Sequence, residues 1–258
     1  MRLKANGFEA WIVINGVEAE QFKPETVDYP TGQTCWIASE LDKGFSIHWR
    51  NTEVFCHTAS RIWVDGIECA GEIILHPNRE ASISGRRTSG STVSPFKFSP
   101  VNLTDDDAFL DSSGHKDLGL IRVEIWTINQ AGTKSYGKVD AAVESKIHER
   151  TKKGSSHQIK FAKEEVQPLR SAAIVEYLEN SPLVTFTFKY RSIDVLRAEG
   201  IAPSKRKISP GSSTSEDKGP KRVKKEVGQP FESKVKPGEI IDLTRSDTPV
   251  ATEIIDLT

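Results

Sequence analysis

Only three cysteines occur in the 258 residues, Cys35, Cys56 and Cys69, and no C-x-x-C pair is present. An odd count at these spacings argues against a disulfide framework and against a structural zinc site, and it fits a reducing compartment. No run of about 18 apolar residues exists, the length that would span a bilayer. The stretch from Met1 to Gly7 opens no apolar run of the kind a signal peptide needs. The expectation is a soluble intracellular protein with no membrane partner.

Aromatic residues are missing from the last part of the chain. All five Trp, all four Tyr and every Phe except Phe231 precede residue 201. Material for a packed core is therefore confined to a domain expected over residues 1–203, and residues 204–258 are expected to be a disordered tail. The net charge of -1 and pI near 6.6 conceal a division within that tail. From Ile201 to Lys225, eight Lys or Arg face two acids; from Glu226 to Thr258, three face seven acids. A basic block followed by an acidic one suits a solvated interaction segment.

Catalytic motifs are also lacking. Six histidines (His48, His57, His76, His115, His148 and His157) are scattered, with no H-E-x-x-H or paired Cys/His spacing to converge on a metal. Thr104-Asp105-Asp106-Asp107 with Asp111 lacks the Gly and terminal Glu of a calcium loop. Gly85-Arg86-Arg87-Thr88-Ser89-Gly90-Ser91 has no Lys where a phosphate loop requires one, and reads as an exposed loop. No serine lies in a nucleophile-elbow pattern, and RING-type Cys/His spacing is absent. These gaps nominate no catalytic, cofactor-binding or metal-ligating residue, and the expectation is a non-enzymatic protein without a cofactor.

What is present is alternation. Phe8, Ala10, Ile12 and Ile14 share one face and run into Asn15-Gly16; Arg61–Val64 runs into Asp65-Gly66; both pairs suit type I′ hairpin turns. Phe45, Ile47 and Trp49 alternate with Ser46, His48 and Arg50. Ile121, Val123 and Ile125 form a third such row, and Val184, Phe186, Phe188 and Tyr190 form the clearest strand. Many short strands separated by turns predict a mainly β, antiparallel, sandwich-like domain with one or two short helices. Ser192 is a candidate cap for a helix over Ile193 to Glu199, with Gly200 at its stop. Residues 169–179 form a second candidate helix. Residues 138–153 form a third, which is charged enough to be a loop instead.

Gly7-Phe8-Glu9-Ala10-Trp11-Ile12, Cys35-Trp36-Ile37-Ala38-Ser39, Asp117-Leu118-Gly119, His148-Glu149-Arg150-Thr151-Lys152-Lys153, and Phe186 to Ser192 with Gly200-Ile201-Ala202-Pro203 together resemble a fungal family catalogued as a domain of unknown function. The resemblance covers about residues 6–203. It implies a fungal source and a mainly β domain preceding a disordered basic tail, and it brings no activity and no site residues.

The tail carries one hexapeptide twice: Glu239-Ile240-Ile241-Asp242-Leu243-Thr244 and Glu253-Ile254-Ile255-Asp256-Leu257-Thr258. Each copy resembles a SUMO-interacting motif, which pairs as an extended strand with an exposed sheet edge while its side chains fill pockets. β-branched Ile favours that backbone, and the acids meet a basic rim. The other readings of the repeat are an edge strand of this chain's own sheet and an accidental apolar repeat. Pro220-Lys221-Arg222-Val223-Lys224-Lys225, made bipartite by Lys205-Arg206-Lys207, resembles a nuclear import signal read by an import receptor; a solvated linker or loose phosphate binding is the plainer reading. Val223-Lys224-Lys225-Glu226 resembles an acceptor for SUMO attachment at Lys224. The sequence therefore predicts a nuclear adaptor for SUMO or SUMO-modified proteins. The alternatives are a chromatin or nucleic-acid-associated protein using the basic segment, or an unrecognised enzyme on the β domain.

Overall fold

Asn15 and Gly16 hold φ of 50° and 82°, and Asp65 and Gly66 hold 50° and 80°, so both sequence pairs form the left-handed turns that tight hairpins need. They shape a computed structural model that describes residues 2–28, 31–69, 71–106, 117–140, 147–148 and 156–204. The first strands are β1 (Leu3–Ala5), β2 (Phe8–Ile14), β3 (Val17–Glu18), β4 (Gln21–Val27), β5 (Gly32–Ser39) and β6 (Phe45–Asn51). Then come β7 (Thr58–Val64), β8 (Ile67–Cys69), β9 (Ile73–Ile74), β10 (Arg79–Ile83), β11 (Gly85–Arg87) and β12 (Thr92–Pro100). The last are β13 (Leu103–Thr104), β14 (Leu120–Lys134), β15 (Ile147–His148), β16 (His157–Phe161), β17 (Glu165–Val166), β18 (Ala172–Tyr177) and β19 (Val184–Ser192), followed by helix α1 (Ile193–Ala198).

The domain is mainly β. One sheet runs β1-β2-β6-β10, with β3 beside β2; the larger runs β4-β5-β19-β14-β7-β8, with β18 beside β14 and β9 beside β7. Alternation selects the inner faces. Phe8, Ala10, Ile12, Phe45, Ile47 and Trp49 from the first sheet share one core with Ile121, Val123, Ile125, Val184, Phe186 and Phe188 from the second. A smaller sheet, β11-β12-β16, closes one end. There Phe96 and Phe98 stack on Phe45 with ring centroids 5.2 and 4.6 Å apart.

Most pairings are antiparallel, but β19 lies parallel to β5, with Thr185 to Ser192 in register with Gly32 to Ser39. Alternation alone cannot show this, because strand period carries no information on direction. Helix α1 begins after Ser192, whose hydroxyl makes no capping hydrogen bond. It ends in a Schellman motif: Gly200 at φ 65° donates its N–H to the Arg197 carbonyl, and Ile201 donates to that of Leu196. The helix expected over residues 169–179 is instead strand β18, paired with the second half of β14 through a bulge between Gln130 and Gly132. An otherwise unpaired stretch of β14 supplies a ladder, and that partner overrides local helix preference. Of the third candidate helix, residues 138–140 have no regular structure and Ile147–His148 is β15, while the rest lies outside the described residues.

One polar group ties four segments together. Asp65, in the β7–β8 turn, accepts hydrogen bonds from the Gly119 and Ile159 backbone N–H groups (2.9 and 2.8 Å). The Tyr190 hydroxyl donates to both its oxygens at 2.6 to 2.7 Å. Burial pushes the Asp65 carboxyl up to about 6, while its bonds from Tyr190 and the Ile159, Gly119 and Leu120 backbones pull it back. Burial, followed by the adjacent Asp65 charge, raises the Tyr190 hydroxyl well above its ordinary value, so it stays a donor.

Asp65→Ala leaves these buried donors unpaired at roughly 1–3 kcal/mol each. Urea titration should therefore show a larger loss for Asp65→Ala than for Tyr190→Phe, which removes one bond. Because the folded carboxyl titrates above its unfolded value near 3.9, its contribution is fully present below about pH 4 and is lost as pH rises through 6. The parent should thus gain about 2 kcal/mol relative to Asp65→Asn between pH 7 and pH 4. Parallel pH profiles of the two proteins would refute this assignment.

Candidate functional site

Every residue nominated in the tail lies outside the described residues. These are Glu239 to Thr244, Glu253 to Thr258, Lys205 to Lys207, Lys221, Arg222, Lys224 and Lys225. The described domain places its concave surface elsewhere, where the segments around β11, residues 134–140 and residues 167–173 meet one end of the large sheet. A cavity of about 400 Å³ lies there, walled by Arg87, Tyr136, Gln167, Arg170 and Tyr177 over Ser60 and Glu72. A second hollow of about 410 Å³ shares Ser60, Gly71, Arg87, Tyr136 and Tyr177 with it and adds Arg61, Arg86 and Glu68.

Glycine shapes the floor. A Cβ on Gly71 would sit 1.8 Å from the Ser60 carbonyl oxygen, and one on Gly85 would sit 2.4 Å from that of Ser94. The Gly85–Ser91 stretch, expected to be an exposed loop, is instead β11 and a tucked turn with Gly85, Thr88 and Gly90 buried. Its backbone carbonyls explain the difference: Thr88, Gly90 and Ser91 accept N–H bonds from Val139, Arg170 and Gln167. These bonds clamp the two flanking segments over it.

The charges are arranged for binding. Arg87 donates to the Gly90 carbonyl and to Gln167 Oε1 (3.2 and 3.3 Å), and its guanidinium lies 6.0 Å from the Tyr136 ring. Arg86 donates to the Asp140 carbonyl at 2.7 Å. Arg170 pairs with Glu72 and Arg61 with Glu68, so four guanidinium groups face two carboxylates. Ser60 Oγ accepts the Glu72 N–H at 2.9 Å and donates to the Glu72 carbonyl, so the backbone already engages it. Burial raises the Tyr136 phenol and keeps it neutral. Nothing in this set pairs a nucleophile with a base.

A nucleophile–base–acid relay does occur on the outer face of the β1-β2-β6-β10 sheet. Ser46 Oγ lies 2.8 Å from His48 Nε2, and His48 Nδ1 lies 3.2 Å from Glu80 Oε1. The His48 ring stacks on Trp11, whose other neighbour is the Arg2 guanidinium, 3.5 Å from the ring centroid. The order matches a hydrolytic triad. However, β6 is paired on both edges, with β2 and β10, so its ladder takes the amides that an oxyanion hole would need, and the relay faces neither hollow. It links β6 to β10 across the sheet face. Sequence reasoning missed it because His48 and Glu80 are 32 residues apart; the only signal was the Ser46, His48, Arg50 alternation.

The outer face of the large sheet carries indoles under cations: Arg61 and Arg122 each lie 4.8 Å from the Trp63 ring, and Lys189 and Arg191 each 5.5 Å from Trp36. Arg61, Arg122 and Lys189 also face Glu68, Glu124 and Glu25. That matching leaves little net charge for a phosphate backbone. Cys35 and Cys69 are buried, and burial pushes both thiols up to about 12; Cys56 is exposed. Among the described residues no group of His, Cys, Asp and Glu could hold a metal ion, and no helix is long and apolar enough to cross a membrane.

The close approach at Gly71 gives a direct check on the cleft floor. Gly71→Ala should cost several kcal/mol in urea titration, since strain against backbone cannot relax cheaply. Gly137→Ala, with nothing within 4 Å of the added Cβ, should be neutral within about 0.5 kcal/mol; equal effects would contradict this floor.

No curated protein matches the chain, and no solved structure matches it. A family model does match, over residues 7–205. On that match the chain belongs to the family described as a domain of unknown function (DUF7918).

Proposed function

We propose that the chain is a non-enzymatic nuclear adaptor of fungal source whose C-terminal segment binds SUMO or SUMO-modified proteins. The observation that carries the reading is the identical hexapeptide at Glu239–Thr244 and Glu253–Thr258. Three buried aliphatic side chains contribute roughly 1.5–3 kcal/mol each, and ordering five residues costs on the order of 5–10 kcal/mol. One copy is therefore weak, and a tethered second copy raises avidity by roughly 10² to 10⁴-fold. Nine residues, Arg245 to Glu253, separate Thr244 from Ile254. Extended, they reach about 30 Å, so two linked SUMO units are bridged only when their grooves face nearly together.

The basic segment supports nuclear import through Lys205, Arg206, Lys207, Lys221, Arg222, Lys224 and Lys225, and Lys224 is the proposed acceptor for attached SUMO. Phosphate on Ser246 or Thr248, between the two copies, adds negative charge beside motifs that meet a basic rim and should strengthen binding. The binding chemistry of the domain, with guanidinium groups in excess and no nucleophile–base pair in its cleft, is compatible with an adaptor.

Replacing Ile240, Ile241 and Leu243 by Ala, or Ile254, Ile255 and Leu257 by Ala, should lower capture of poly-SUMO by about 10²-fold. Capture of single SUMO should change little in either variant and be lost when both sets are replaced. Equal capture by the parent and the doubly replaced chain would end the adaptor reading. Replacing Lys221, Arg222, Lys224 and Lys225 by Ala should move a reporter fused to residues 204–258 out of the nucleus, and continued nuclear accumulation would refute the import assignment.

A further inference from the structure

We propose that the cleft at Arg87, Arg170 and Tyr136 receives an extended acidic segment of a partner protein, with aliphatic side chains of that segment lying across its lip. Charge comes first. Arg61, Arg86, Arg87 and Arg170 face the two hollows against only Glu68 and Glu72. The guanidinium groups are already oriented: the Arg87 fork is held by Gly90 and Gln167, and Arg86 by the Asp140 carbonyl. Fixed forks bind carboxylates without a further ordering cost.

The lip supplies the second observation. Leu169 is 83% exposed, and its side chain lies against Gly90, which it flanks together with the lining residue Tyr136. Such a side chain beside a charged hollow offers apolar surface that a segment laid over the cleft would bury. A free phosphate or a small carboxylate would satisfy the arginines and leave this lip in water. A polyphosphate backbone would meet Glu68 and Glu72 within the same hollows. An acidic segment with interleaved aliphatic residues matches both features.

This inference rests on the adaptor reading only in giving it a second partner; the cleft chemistry stands without the tail. The test uses the full chain and a fluorescein-labelled peptide, Asp-Leu-Glu-Val-Asp-Leu, followed by anisotropy at low salt. Saturable binding should weaken about tenfold, or about 1.4 kcal/mol, in Arg170→Gln, and further in Arg87→Gln with Arg170→Gln. It should also weaken when the peptide acids become Asn and Gln, and when Leu169 becomes Ser. Arg50→Gln, on the other sheet, should leave it unchanged, and thermal melts should show that each variant folds.

No saturable binding up to about 1 mM, binding unaffected by Arg170→Gln in a folded protein, or displacement by oligothymidylate at equal charge would each overturn the proposal. SUMO capture separates the two readings. It should persist in the Arg87→Gln, Arg170→Gln protein, whereas the doubly replaced tail variant should lose SUMO capture and keep the peptide.

Discussion

A single buried carboxylate ties the large sheet to β16. Asp65 sits in a hairpin turn, yet its partners come from the approach to β14, from β16 and from β19, up to 125 residues away in sequence. Hydrophobic burial is non-directional and would allow the large sheet and the β11-β12-β16 sheet to slide over each other. A hydrogen-bonded acid with several fixed donors permits one arrangement, because any displacement leaves donors unpaired in a dry interior. The Asp65-Gly66 pair thus serves the turn through its backbone and the junction of the large sheet with β16 through its side chain.

With the core held this way, the polar chemistry is pushed outward and divided by face. The outer surface of the β1-β2-β6-β10 sheet pairs Ser46, His48 and Glu80 beside Trp11. The larger sheet lays cations over Trp36 and Trp63 and matches three of them with carboxylates. On the larger sheet Arg191 has no carboxylate among the described residues, and its Nε and Nη1 are buried without a hydrogen-bond partner. In the cleft beside β11 and β18 each arginine is held by a carbonyl, an amide or a carboxylate, and guanidinium groups outnumber acids.

Much of the sandwich was legible in the sequence because its strands are half-buried and their alternation is clean. Phe8 to Ile14, Phe45 to Trp49, Ile121 to Ile125 and Val184 to Tyr190 all bury the residues that the period of two selects. Both hairpin turns and the stop at Gly200 follow from residues suited to positive φ. Non-local choices were hidden. Leu169 to Glu179 has helical composition and becomes a strand because β14 is long enough to need a partner. The parallel β5–β19 pair, the Asp65 clasp and the cleft each depend on residues brought together from distant positions, and no local pattern encodes them. The tail motifs are the opposite case: a strand proposed to pair with another protein would carry its pattern locally, and the repeat is legible as sequence.

The paired aliphatic motifs are proposed to serve another protein's sheet edge. Amide hydrogen exchange on the full chain, with and without a two-unit SUMO chain, tests this role most directly. Exchange at residues 239–244 and 253–258 should be fast in the chain alone and slow at both once the partner is added, with β14 and β19 unchanged. Slow exchange at either motif before any partner is present, or no slowing at saturation, would contradict it.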